Sequence, residues 1–146
     1  IEVEASVLIH RPPDEVFAFL FGMVNNPQWQ KGMKSCEWTS EPPLQVGSTY
    51  DQVASFMGKP IISSFEVVEH EAGRRVRIRT TKSSIPLDIT RQVAPEKEET
   101  MVKATVRGEP NGAMRLFNPL MHIMVKRSVT RDYQRLKAIL ESAAVD

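Results

Sequence analysis

The sequence is short of several things, and each shortage removes a class of protein. It holds one cysteine, Cys36, in 146 residues, so no internal disulfide can form and a reducing compartment fits. Neither sign of charge dominates: 19 basic residues face 18 acidic ones, for a net charge of +1. That balance offers no electrostatic footprint for nucleic acid or an anionic membrane. Long apolar runs are missing as well. The longest, VFAFLFGMV over 16–24, falls far short of the ~20 residues a spanning helix needs. The opening IEVEAS has neither a basic region nor an apolar run, so neither a signal peptide nor stable membrane insertion is expected, and a cytoplasmic protein is. His10, His70 and His122 are scattered, without the paired spacing of a zinc motif. A nucleophile elbow and a Gly-rich phosphate loop are also lacking. These patterns predict no metal and no cofactor. Cys36, in a strand near Trp38 with no obvious helper, reads as structural.

What is present is a strong alternation of texture. Residues 2–9 alternate as a strand, with Val3, Ala5, Val7 and Ile9 on one side. HRPPDEVFAFLF then starts a helix: Pro13 suits its first position, and Asp14 and Glu15 place negative charge on the positive end of the macrodipole. A second start follows in NNPQWQK, with Asn26 able to cap and Trp29 as a large apolar anchor. From 34 to 107, turn signals such as EPPLQVG, MGKP, HEAG, KSSIP and APEKEE divide about six strands, near 34–40, 47–57, 60–70, 74–82, 85–94 and 99–108. That spacing is an antiparallel meander. Val76 and Ile78 oppose Arg75, Arg77 and Arg79; Leu87, Ile89 and Val93 share a face, as do Val102, Ala104 and Val106. A sheet greasy on one side and wet on the other follows. The arginine ladder reads as a solvated face with partners such as Asp88 or Glu66. In strand 47–57 the inward set stays open between Tyr50/Phe56 and Val53/Met57.

The last segment, 113–143, changes character along its length. Around Leu136, the residues Val125, Val129, Tyr133, Ile139 and Leu140 form one apolar stripe, as on any helix laid against a core. Nearer its start, Leu116, Phe117, Leu120, Met121, Ile123 and Met124 run almost round the circumference. Such a helix should be covered on more than one side, or face a ligand or partner. Pro119 should bend or restart it. Asn118 and His122, four residues apart, are its polar handles.

The order β-αα-β6-α defines one α+β domain over 1–146. With Ile-x-Arg-Pro-Pro-Asp-Glu-Val-Phe (9–17), Pro-Gln-Trp (27–29), Pro-Leu-x-Val-Gly-Ser-x-Tyr (43–50), Glu-Val-Val-Glu (66–69) and Arg-Leu-Lys-Ala-Ile-Leu-Glu (135–141), it resembles the START/Bet v 1-like superfamily, and within it the polyketide cyclase/dehydrase-like branch. The resemblance implies a helix-grip fold: a seven-stranded antiparallel curved sheet wrapped around a long C-terminal helix, two short helices after strand 1, and an internal cavity for a lipid, sterol, quinone, polyketide or other apolar molecule.

On that reading the protein binds or transports a small hydrophobic ligand. Phe117, Met121 and Val125 line the pocket from the helix, and Phe65, Ile78, Leu87 and Ile89 from the sheet. Trp29 closes one end, and Asn118 and His122 orient a polar group. An empty cavity of about 300 Å³ would cost up to about 7 kcal/mol, so water or a bound apolar molecule should fill it. Two other readings stand beside this one. In the first, the chain is an aromatase/cyclase-like enzyme with His122 as acid or base. In the second, it is an interaction module, a homodimer for instance, that uses the apolar surface of 113–125.

Overall fold

A computed structural model describes residues 2–56, 58–108 and 119–142. Its elements run β1 (Glu2–Ile9), α1 (Pro13–Leu20), a 3-10 turn (Met23–Asn25), α2 (Asn26–Trp29), β2 (Met33–Trp38), β3 (Thr49–Phe56), β4 (Lys59–Glu71), β5 (Arg75–Lys82), β6 (Leu87–Glu96), β7 (Glu99–Gly108) and α3 (Pro119–Ser142). The seven strands form one antiparallel sheet in the order β1-β7-β6-β5-β4-β3-β2. After the first strand, every step is therefore to a sequence neighbour, and β1 closes beside β7 across the whole chain. This is the helix-grip arrangement.

Alternation sets which face is covered. Val3, Ala5, Val7 and Ile9 are buried in β1, as are Val76 and Ile78 in β5 and Val102 and Ala104 in β7. The open question in β3 resolves to the even positions: Tyr50 is buried and stacks on Phe65 of β4 with centroids 5.1 Å apart, while Gln52, Ala54 and Phe56 border the cavity described below. The register slips twice along β4, between Ser64 and Phe65 and between Val67 and Glu69. Such irregularities increase local twist and let a long strand bend. The tight turn into β5 places Gly73 at φ +77°, a conformation that costs glycine no Cβ clash.

Pro13 is the first residue of α1, where its missing N–H costs no hydrogen bond. Asn26 does not cap: the helix start of α2 has no side-chain cap bond. Its amide turns inward instead, 3.8 Å from both Met23 Sδ and Cys36 Sγ, and its Oδ1 accepts from Arg91. In α3, Tyr133, Leu136 and Leu140 are buried, and Val129 and Ile139 are packed against the core. Pro119 stands at the first residue of α3, where it breaks no intrahelical bond and need not kink the helix. Of the all-round apolar half, Leu116 and Phe117 lie outside the described residues; among the rest, Met121 and Val125 are half-buried, whereas Leu120, Ile123 and Met124 are 65%, 58% and 49% exposed.

The arginine ladder is a paired outer face. Arg77 donates to both carboxylate oxygens of Asp88, at 2.9 and 2.6 Å, and it shares Glu69 with Arg75. The Arg77 bond holds the Asp88 carboxyl below its usual range. No described helix is long and apolar enough to cross a membrane.

Candidate functional site

Between the concave sheet face and α3 lies a cavity of about 270 Å³. Strands supply Val3, Ala54, Ile61, Leu87, Ile89 and Val106; α3 supplies Val125, Val129, Asp132 and Tyr133; the segment around α2 supplies Trp29, Gln30 and Met33. Alternation puts the strand residues there. Helical periodicity puts Val125, Val129, Asp132 and Tyr133 on the one stripe of α3 that faces them.

The cavity's most unusual lining residue is Arg91 of β6, which is 4% exposed. It has the same parity as Leu87, Ile89 and Val93, so the pleat sends it inward with them. Its Nη1 donates to the Leu20 carbonyl at 3.2 Å and to Asn26 Oδ1 at 3.4 Å, and lies 3.5 Å from Met23 Sδ. Its guanidinium carbon sits 5.0 Å from the centre of the Trp29 ring, a cation–π contact. Trp29 in turn meets Tyr133 edge-on, with centroids 4.9 Å apart. No described carboxylate forms an ion pair with Arg91, and its Nε reaches no acceptor; nor does the indole N–H of Trp29.

Burial and this cation act in opposite directions on their neighbours. Desolvation pushes the hydroxyls of Tyr50 and Tyr133 up from their ordinary value, and the charge of Arg91 pulls each partly back. The Cys36 thiol is pushed up to about 11, again by burial, against the pull of Arg91. A thiol so placed is no nucleophile at neutral pH. Asp132 is also raised by desolvation, but its carboxylate accepts from Lys31 N–H and from Arg135, both at 3.2 Å. Arg135 also bonds the Trp29 carbonyl at 2.8 Å, which ties α2 to α3.

The expected pocket residues fall into four groups. Trp29, Leu87, Ile89 and Val125 border the cavity. Phe65 and Ile78 face the same side of the sheet but are packed shut, each 1% exposed, and are not among the bordering residues. Tyr50 stacks on Phe65, and Ile78 is buried although its cross-strand partner Ile89 borders the cavity. Met121 and His122 are half-buried on α3 and do not border it either. The His122 ring is turned to the edge strand, with Nε2 3.1 Å from the Glu2 carbonyl. Phe117 and Asn118 lie outside the described residues. Sequence reasoning misses several bordering residues, Arg91, Asp132 and Tyr133 among them; the signal for Arg91 is its parity with Leu87 and Ile89, masked by the habit of placing arginine outside. Among the described residues no group of His, Cys, Asp and Glu is arranged to hold a metal ion.

A curved seven-stranded sheet gripping a C-terminal helix over such a cavity defines a START/Bet v 1-like protein. The sequence model of the family described as polyketide cyclase/dehydrase and lipid transport matches residues 1–141, and the chain belongs to that family. Solved structures share the fold at low identity. A protein of Thermus thermophilus is 22% identical, with TM-score 0.83 over 98% of this chain and 99% of that one. A START superfamily protein of Mycobacterium smegmatis is 10% identical, with TM-score 0.83 over 97% and 98%. The Zhui aromatase/cyclase of a Streptomyces species is 12% identical, with TM-score 0.76 over 97% and 93%. No curated protein sequence matches the chain.

Proposed function

We propose that this chain is a single ligand-binding domain that holds a small hydrophobic molecule between the sheet and α3, as a carrier in the cytoplasm. The observation behind the reading is the cavity itself: about 270 Å³, walled by Val, Leu, Ile and aromatic side chains with polar ones such as Gln52, Ser63, Arg91 and Asp132 among them. Pockets of that character are the usual form of small-molecule sites. Native mass spectrometry of freshly purified protein, compared with its denatured mass, tests the reading. An excess mass that extracts into organic solvent is expected; a clean mass together with no uptake of apolar dye would sink it.

The cyclase-like reading with His122 as acid or base draws no support from the geometry, since the ring is engaged with Glu2 away from the cavity lining. An interface reading has one observation in its favour, the exposed Leu120, Ile123 and Met124 on one stretch of α3. Sedimentation across concentrations separates the two: a stable monomer removes the homodimer.

A further inference from the structure

The reading of the cavity as a ligand site says nothing about the ligand's chemistry, and Arg91 does. Removing a guanidinium from water costs several kcal/mol unless a counter-charge or a full set of acceptors replaces the water. Here the replacement is incomplete. The contacts to Leu20, Met23 and Asn26 all fall on Nη1, one of them is to sulfur, and none carries a charge. Nε has no partner. The Tyr133 hydroxyl, a neutral group whose titration the charge of this cation lowers against the effect of burial, belongs to a residue of the same cavity lining. The nearby carboxylate on the cavity wall, Asp132, is already committed to Arg135 and the Lys31 N–H. The cavity wall is therefore largely apolar, and it holds a buried cation that no described carboxylate pairs with.

We propose that the cavity recognises a hydrophobic monoanion, an apolar body bearing one carboxylate, and that Arg91 with the Tyr133 hydroxyl receives the carboxylate. This rests on the reading that the cavity binds a small hydrophobic molecule. A carboxylate suits the site better than a phosphate because it is planar and singly charged, as the guanidinium fork is planar and singly charged. A dianion would exceed the charge offered. The same chemistry serves a fatty acid or an aromatic acid, so both are tested.

The experiment is calorimetric titration of ligand-free protein with decanoate, 1-decanol and methyl decanoate, and with 2-naphthoate and 2-naphthalenemethanol. At least one acid should bind about tenfold or more tighter than its own alcohol, the margin expected when one charge-assisted hydrogen bond is gained, and methyl decanoate should behave like the alcohol. Arg91→Gln should bring that acid down to its alcohol's affinity while leaving the alcohol within about twofold. Tyr133→Phe, which removes one oxygen and keeps the ring, should weaken the acid selectively and serves if Arg91→Gln fails to fold. Equal affinity for acid and alcohol, or an equal loss for both in the variants, overturns the monoanion and leaves the carrier reading standing. If none of the five compounds binds, the monoanion inference falls, and the carrier reading is decided by the native mass and the dye uptake.

Discussion

Arg77 and Arg91 sit on neighbouring strands and point to opposite faces of one sheet. Outside, Arg77 finds Asp88 diagonally across the strand pair and Glu69 on its other side. Inside, Arg91 lies opposite Val76 and has an indole, two oxygens and a sulfur around it. The outer pair is partly solvated, so water and salt reduce its worth to about 1 kcal/mol or less. The inner cation keeps little water and no counter-ion, so the same side chain carries a standing electrostatic demand. One face of the sheet consumes its charges in structure; the other leaves one available for chemistry.

The comparison can be broken at several points, in falling order of effect. Trp29→Ala removes a ring that covers Arg91 and borders the cavity; it should cost about 3–5 kcal/mol in urea denaturation, as large aromatic deletions do. A smaller effect comes from filling the site. An acid held at 100 times its dissociation constant should add about 2.7 kcal/mol to stability, seen as a raised urea midpoint, and Arg91→Gln, through a tenfold or greater loss of affinity, should cut the gain to about 1.4 kcal/mol or less at the same concentration.

The outer face should respond less, and with a definite sign. The folded-state pKa of Asp88 is depressed by the bond from Arg77, so its contribution is present above the unfolded value of about 3.9 and lost as pH falls through the folded value. Asp88→Asn should therefore cost about 1 kcal/mol at pH 7, and the gap between variant and parent should close in acid, below about pH 4. A gap that stays constant down to about pH 2, well under the ordinary carboxylate range, would contradict the pairing. Least of all, Leu120→Ser on the exposed start of α3 should change stability by no more than about 0.5 kcal/mol. A loss several times larger would mean that the surface is covered in solution.

The fold was legible because it is written in periodicities. Period-two alternation with turn residues every dozen or so positions marks the strands to within a few residues. Pro13 and the Leu136 stripe mark two of the helices. Local terms of this kind act between residues close in sequence, so one chain read in order suffices. The candidate site was legible only in part. Trp29, Leu87, Ile89 and Val125 could be assigned to a covered face, but whether a covered position borders a void or is packed shut depends on what stands opposite. Phe65 is shut because Tyr50 stacks on it, and Ile78 is buried while its cross-strand partner Ile89 borders the cavity.

The sequence by itself determined the order of strands and helices, the greasy and wet faces of the sheet, and even that Arg91 must share a face with Leu87 and Ile89. The tertiary structure decided what that parity means. Only when β6, α1, α2 and α3 converge does Arg91 meet the Leu20 carbonyl, Asn26, Trp29 and Tyr133, residues from 42 to 71 positions away. It also turned His122 toward Glu2 at the sheet edge, a choice that depends on where β1 ends up rather than on any spacing along the helix. Desolvation and Coulomb energy depend on distance in space, which a reading along the chain does not contain.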